Sequence, residues 1–71
     1  MIWTKNYIDF GVVKLHSKRV IYVYCSKIQY FPLTIPEDIK EVRWTGNAIT
    51  IYLESGRIRR YTGTTDYNIV I

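Results

Sequence analysis

A chain of 71 residues with one cysteine and one histidine has room for a single small domain, and excludes an internal disulfide and a four-ligand structural zinc site. Ten lysines and arginines against six aspartates and glutamates give a net charge of +4, which favours anionic partners. Seven tyrosines, two tryptophans and two phenylalanines exceed what so small a core needs, and tyrosine suits half-buried sheet faces and binding surfaces alike.

A chain of this length buries only ~60% of the surface its unfolded form exposes, so the core is thin. With no disulfide or zinc to add stability, self-association as a homo-oligomer is one open way to add buried area. The opening MIWTKNYIDF lacks a basic stretch followed by an apolar one, so it does not read as a secretory leader. No apolar run approaches the ~18 residues of a membrane span. The lone thiol of Cys25 fits a reducing compartment. A soluble, cytoplasmic protein with no membrane partner is expected.

In chain order, no long segment carries helical periodicity; Val, Ile, Tyr and Thr recur in short runs broken by Gly, Ser, Asn and Pro. These runs predict strands over residues 2–9, 12–15, 19–24, 27–31, 39–45, 48–54, 57–62 and 67–71. Pro32 lacks a ladder donor and is expected to end the fourth. The connector FPLTIPEDIK has room for at most one helical turn near residues 36–40, since proline suits a first helical position.

Two-residue turns then set the pairing. A turn at Gly46-Asn47 places Thr45 opposite Ala48, Trp44 opposite Ile49 and Val42 opposite Ile51. A turn at Ser55-Gly56 places Leu53 opposite Ile58 and Tyr52 opposite Arg59. A turn at Cys25-Ser26 places Val23 opposite Ile28 and Tyr22 opposite Gln29. Alternation sends Val42, Trp44, Ile49, Ile51, Leu53, Ile58, Ile21, Val23 and Ile28 inward. It sends Glu41, Arg43, Thr50, Tyr52, Arg57, Arg59, Tyr61, Tyr22, Tyr24, Lys27 and Gln29 outward. Arg60 falls on the apolar side and needs a bulge to escape it.

The stretches IYVYCSKIQYF (21–31) and IYLESGRIRRY (51–61) align over eleven residues, which reads either as an internal repeat of segments 12–31 and 42–61 or as the ordinary likeness of two hairpins rich in Val, Ile and Tyr. The expected fold is all-β: one domain over residues 1–71, a small antiparallel barrel or sandwich of about six to eight short strands built from two similar three-stranded meanders.

Catalytic constellations are missing from the sequence. His16 has no nucleophile on its own face of a strand, so it reads as a turn or surface histidine. The carboxylates Asp9, Glu37, Asp38, Glu41, Glu54 and Asp66 scatter over turns and the polar face, and the four glycines punctuate turns without forming a phosphate-cradling loop. No enzyme activity, metal or cofactor is implied. The one concentrated feature is the outward face of the second meander. There Arg43, Tyr52, Arg57, Arg59 and Tyr61 combine cations for phosphates with flat rings for bases, as sheet-surface RNA and single-strand binders do. Tyr22, Tyr24 and Lys27 extend this candidate surface if the meanders lie side by side. An ordinary solvated sheet face, with Tyr and Arg paired across strands, accounts for the same residues. Trp44 reads as core, and Trp3 either as a cap on the core or as an exposed anchor.

Residues 38–71, through RWTGNAITIYLESGRIRRYTG, resemble the KTSC domain, a module found alone in bacteria and at the C-terminus of some lysyl-tRNA synthetases. The shared features are strand, small turn, alternating apolar strand, glycine turn and a tyrosine strand ending Tyr61-Thr62-Gly63. Arg59 stands where the family's Tyr-x-Tyr pair has its first tyrosine, and the N-terminal half lies outside the resemblance. It implies RNA binding. Two readings are therefore carried forward. One is a non-catalytic module for RNA or single-stranded nucleic acid. The other is a small protein-interaction module, an inhibitor or adaptor of the sort mobile elements encode, using the same face or the uncharged edge strand at 67–71, where it can also pair as a homodimer.

Overall fold

The structure, a computed structural model, describes residues 2–70. The N-terminal segment expected as a strand holds instead an isolated bridge, Ile2 with Gly63, followed by a helix α1 over Lys5–Phe10. Gly11 ends that helix in the left-handed conformation (φ 62°), donating its N–H to Tyr7 O at 2.9 Å. Thr4 precedes the first turn without a side-chain cap, and an isolated helix needs ~12–15 residues to persist. Packing therefore holds α1 in place. Tyr7 and Ile8 pack on the core, with the Tyr7 ring 5.5 Å from that of Trp3.

Seven strands follow in two antiparallel sheets, giving a small all-β sandwich. The first sheet is β1 (Val12–Ser17), β2 (Val20–Tyr24) and β3 (Tyr30–Thr34), paired in chain order. The second is β4 (Ile39–Thr45), β5 (Ala48–Leu53), β6 (Ile58–Tyr61) and β7 (Tyr67–Ile69), a meander of four strands where three were expected. Residues 36–37 are bends, so the connector carries no helical turn. Pro32 lies inside β3 and does not end it. That strand is an edge, where a missing donor is tolerated. Ile71, part of the expected last strand, lies outside the described residues.

The Gly46-Asn47 turn pairs Trp44 with Ile49 and Val42 with Ile51 as expected. The other two hairpins differ for one shared reason: each closes a three-residue loop. Leu53 N–H donates to Arg57 O at 3.0 Å and Gly56 N–H to Leu53 O at 3.0 Å, with Gly56 at φ 92°. Glu54, Ser55 and Gly56 thus form a tight turn ending in a glycine bulge. Cys25 N–H likewise donates to Gln29 O at 3.0 Å, enclosing Ser26, Lys27 and Ile28. The observed partners are Tyr52 with Ile58, Ile51 with Arg59 and Ile49 with Tyr61; in the first sheet they are Tyr24 with Tyr30 and Val23 with Phe31. Both slips are odd, and an odd slip exchanges the two faces of the following strand. Ile28, expected inside, is 85% exposed in the loop, and Ile58 moves to the outer face. Arg60 needs no bulge, since it lies outward beside Thr50.

The core lies between the sheets. Ile21, Val23 and Leu33 from the first meet Ile39, Ile49, Ile51, Leu53 and Tyr61 from the second, with Ile35 and Trp3. Val13, Val42 and Trp44 pack at its margin. Trp3 caps this core. Its N–H donates to Thr62 O at 3.0 Å and its Nε1 to Tyr61 O at 3.1 Å, and its ring meets Trp44 at 6.1 Å and Phe31 at 6.5 Å. Among the described residues no helix is long and apolar enough to cross a membrane.

Candidate nucleic-acid interface

The register fixes which side chains leave each sheet. On the first, Lys14 lies opposite Tyr22, and Tyr24 opposite both Val12 and Tyr30. Opposed residues share a face, and Val23 and Ile21 fill the other one, so these rings turn outward. The ladder slips between Leu15 and Ser17, and His16 sits at that irregularity with its imidazole on the same outer side. A column results. His16 stacks on Tyr22 at 4.2 Å and 15°, and Tyr22 stacks on Tyr30 at 4.1 Å and 22°. Tyr24 leans on Tyr30 at 5.4 Å, and Lys14 Nζ lies 5.5 Å from the Tyr24 ring centre. Desolvation, followed by a hydrogen bond with Tyr30, raises the Tyr22 phenol above its ordinary pKa, so it stays neutral and protonated.

This column spans three strands, with each ring supported by its neighbour. The inner ring faces are taken up by one another; His16, exposed at one end, offers the open face. Tyr30 is 45% exposed. A flat heterocycle can continue the column at the His16 end, while the Lys14 ammonium lies beside Tyr24 at the other end.

The second sheet carries a different outer face. Arg43, Thr50, Arg60 and Asn68 lie in one row across β4 to β7, and Glu41, Tyr52 and Ile58 in the next. The Arg43 guanidinium lies 5.6 Å from the Tyr52 ring centre and pairs with Glu41. Lys40, Glu41, Arg43 and Tyr52 line a shallow depression there.

The expected patch is thereby divided. Arg43 and Tyr52 do sit together on the outer face. Arg57, exposed, closes the hairpin loop beside it. Arg59 and Tyr61 do not belong to the patch: they are 8% and 4% exposed and point into the sandwich, because the three-residue loop turned β6 over. There Arg59 sits 4.8 Å from the Tyr67 ring centre, donates from Nη1 to Tyr61 Oη at 3.4 Å, and faces Glu37 at 3.6 Å. Among the described residues its Nε finds no hydrogen-bond partner. Burial opposes its charge, but Tyr61 and Tyr67 outweigh this and raise its pKa. Tyr22 and Tyr24 are outward as expected, whereas Lys27 is exposed at the tip of the first hairpin and off the sheet.

Sequence reasoning passed over Lys14, His16 and Tyr30. The alternation Val13-Lys14-Leu15-His16 carries the signal, since it puts Lys14 and His16 opposite the face that holds Val13. Tyr30 was hidden by the wrong loop length. Among the described residues no group of three or more His, Cys, Asp or Glu is placed to hold a metal. Compared with known proteins, the chain matches no family model, no curated protein and no solved structure.

Proposed function

We propose that this chain is a non-catalytic, cytoplasmic module that binds RNA or single-stranded nucleic acid on the outer face of β1–β3. The His16–Tyr22–Tyr30 column beside Lys14 and Tyr24 carries the reading. Exposed bases of single strands stack on aromatic rings, and each such contact is worth ~1–3 kcal/mol. A column already assembled loses little further freedom on binding, which favours the ligand over a set of mobile rings. The net charge of +4 adds attraction to a polyanion.

Binding of a labelled, unstructured oligonucleotide, followed by anisotropy over a salt series, tests this. Affinity is expected to fall with salt, by about 0.7 in log–log slope for each phosphate contacted. His16→Ala and Tyr30→Ala, both exposed positions, are each expected to weaken binding by about fivefold or more while leaving the fold intact. Unchanged affinity in both variants would remove the column from the function.

The protein-interaction reading draws on the other edge. Among the described residues β7 pairs only with β6, and Tyr67, Ile69 and Val70 are each about half exposed along it. Absence of any oligonucleotide binding in the same assay, with size-exclusion showing a dimer, favours that second reading.

A further inference from the structure

The aromatic column and the Arg43/Arg60 row lie on the outer faces of different sheets, which adjoin around one corner of the sandwich. Stacked sheets stand ~10 Å apart, whereas the backbones of β1 and β4 approach within 8 Å, Cα to Cα. The sandwich is therefore closed along these two edge strands, although among the described residues no ladder joins them. At one end of this seam Ile39 N–H donates to Lys18 O at 2.7 Å. Val13 of β1 and Val42 and Trp44 of β4 all turn to the common core. Lys14 and Arg43, of opposite parity on the same strands, consequently face solvent on either side of the seam.

Resting on the nucleic-acid reading above, we infer that the ligand is a single strand several nucleotides long that crosses this seam. Its bases engage the His16 end of the column, and its phosphates continue past Lys14 onto Arg43 and Arg60. Thr50 separates these two arginines in the same cross-strand row and Asn68 follows Arg60, so the track holds cations and neutral donors. Arg43 is held against the Tyr52 ring, which positions its guanidinium before a phosphate arrives. Glu41 is the one acidic member, and its pairing with Arg43 opposes an incoming phosphate. From β3 to β6 the surface crosses four hydrogen-bonded inter-strand steps, roughly 19 Å at ~4.8 Å each, and the seam between β1 and β4. A mononucleotide cannot bridge this width; sites of about four nucleotides or more on small β modules do.

Oligo(dT) of two lengths, a trimer and a dodecamer, distinguishes the inference from the reading beneath it. The double variant Arg43→Ala with Arg60→Ala is expected to weaken dodecamer binding about tenfold at low salt and to lower its salt slope by ~1.4, while leaving the trimer unchanged. Glu41→Gln is expected to act in the opposite sense, strengthening dodecamer binding alone. Suppose His16→Ala weakens both lengths but the arginine variant and Glu41→Gln alter neither. The column then stands and the seam crossing is overturned. No binding of either length by the unaltered protein overturns both.

Discussion

Arg59 holds a full positive charge among apolar neighbours, and its contacts are imperfect: a 3.6 Å approach to Glu37, a 3.4 Å bond to Tyr61 and an Nε without an acceptor among the described residues. Its long stem packs against Tyr67, so much of what it contributes is hydrophobic contact and cation–π attraction. Removing one partner of an ion pair is costly when the other charge stays buried, but Glu37 is 28% exposed and can take up water in place of Arg59. Arg59→Met is accordingly expected to keep stability within about 1 kcal/mol of the parent, whereas Arg59→Ala, which loses the stem, should cost about 2–3 kcal/mol in urea unfolding. A large loss in Arg59→Met would show that the charge itself is needed. The sequence concealed this residue's position because Arg59 and Tyr61 each look like surface residues. Only the pairing across the hairpin decides their direction. Tyr22 and Tyr24 were legible, since they alternate with Ile21 and Val23, whose apolar character leaves no choice of face.

The decisive element is the loop at Glu54–Gly56. Gly56 sits at φ 92° with open space where a Cβ would point, so substitution there strains the backbone without a clash. Gly56→Ala should therefore cost about 1–2 kcal/mol, read as a shift in thermal midpoint. Deleting Ser55 should do more. Where the three-residue loop re-forms by drawing in Arg57, Leu53 would pair with Ile58, β6 would turn over, and Arg60 and Ile58 would face the core in place of Tyr61 and Arg59. Loss of cooperative unfolding is the expected result; a stable, folded deletion variant would show that parity at β6 is not fixed by this loop. The strands themselves were readable from composition, with β4 spanning the expected residues 39–45. Gly46-Asn47 was readable too, because a two-residue turn suits its glycine-asparagine pair. Glu54-Ser55-Gly56 was not, because glycine serves equally as the second residue of a short turn or as the bulge that ends a longer one. α1 escaped for a different reason: Tyr7 and Ile8 become helical through tertiary contacts that local propensity does not record.

Across the whole molecule, one aromatic side chain ties the layers together. Trp3 reaches Tyr7, Phe31, Trp44 and the backbone of Tyr61 and Thr62. Removing a buried tryptophan costs about 3–5 kcal/mol, comparable to the ~3–5 kcal/mol that a core of this size supplies. Trp3→Ala is therefore expected to leave the chain largely unfolded at room temperature by circular dichroism, and Trp3→Phe to recover part of the loss. A native spectrum for Trp3→Ala would place the stability elsewhere. A small all-β layered fold was legible from strand-length runs and turn residues. The closing of the sandwich along β1 and β4 was not, since nothing in either strand's composition names its neighbour in the other sheet. The bond from Trp3 Nε1 to Tyr61 O spans 58 positions of chain. During translation the indole emerges long before the carbonyl that accepts its hydrogen bond, so the nascent polypeptide carries an unsheltered tryptophan until β6 has been made. A ribosome stalled before that point would display this side chain to chaperones and proteases.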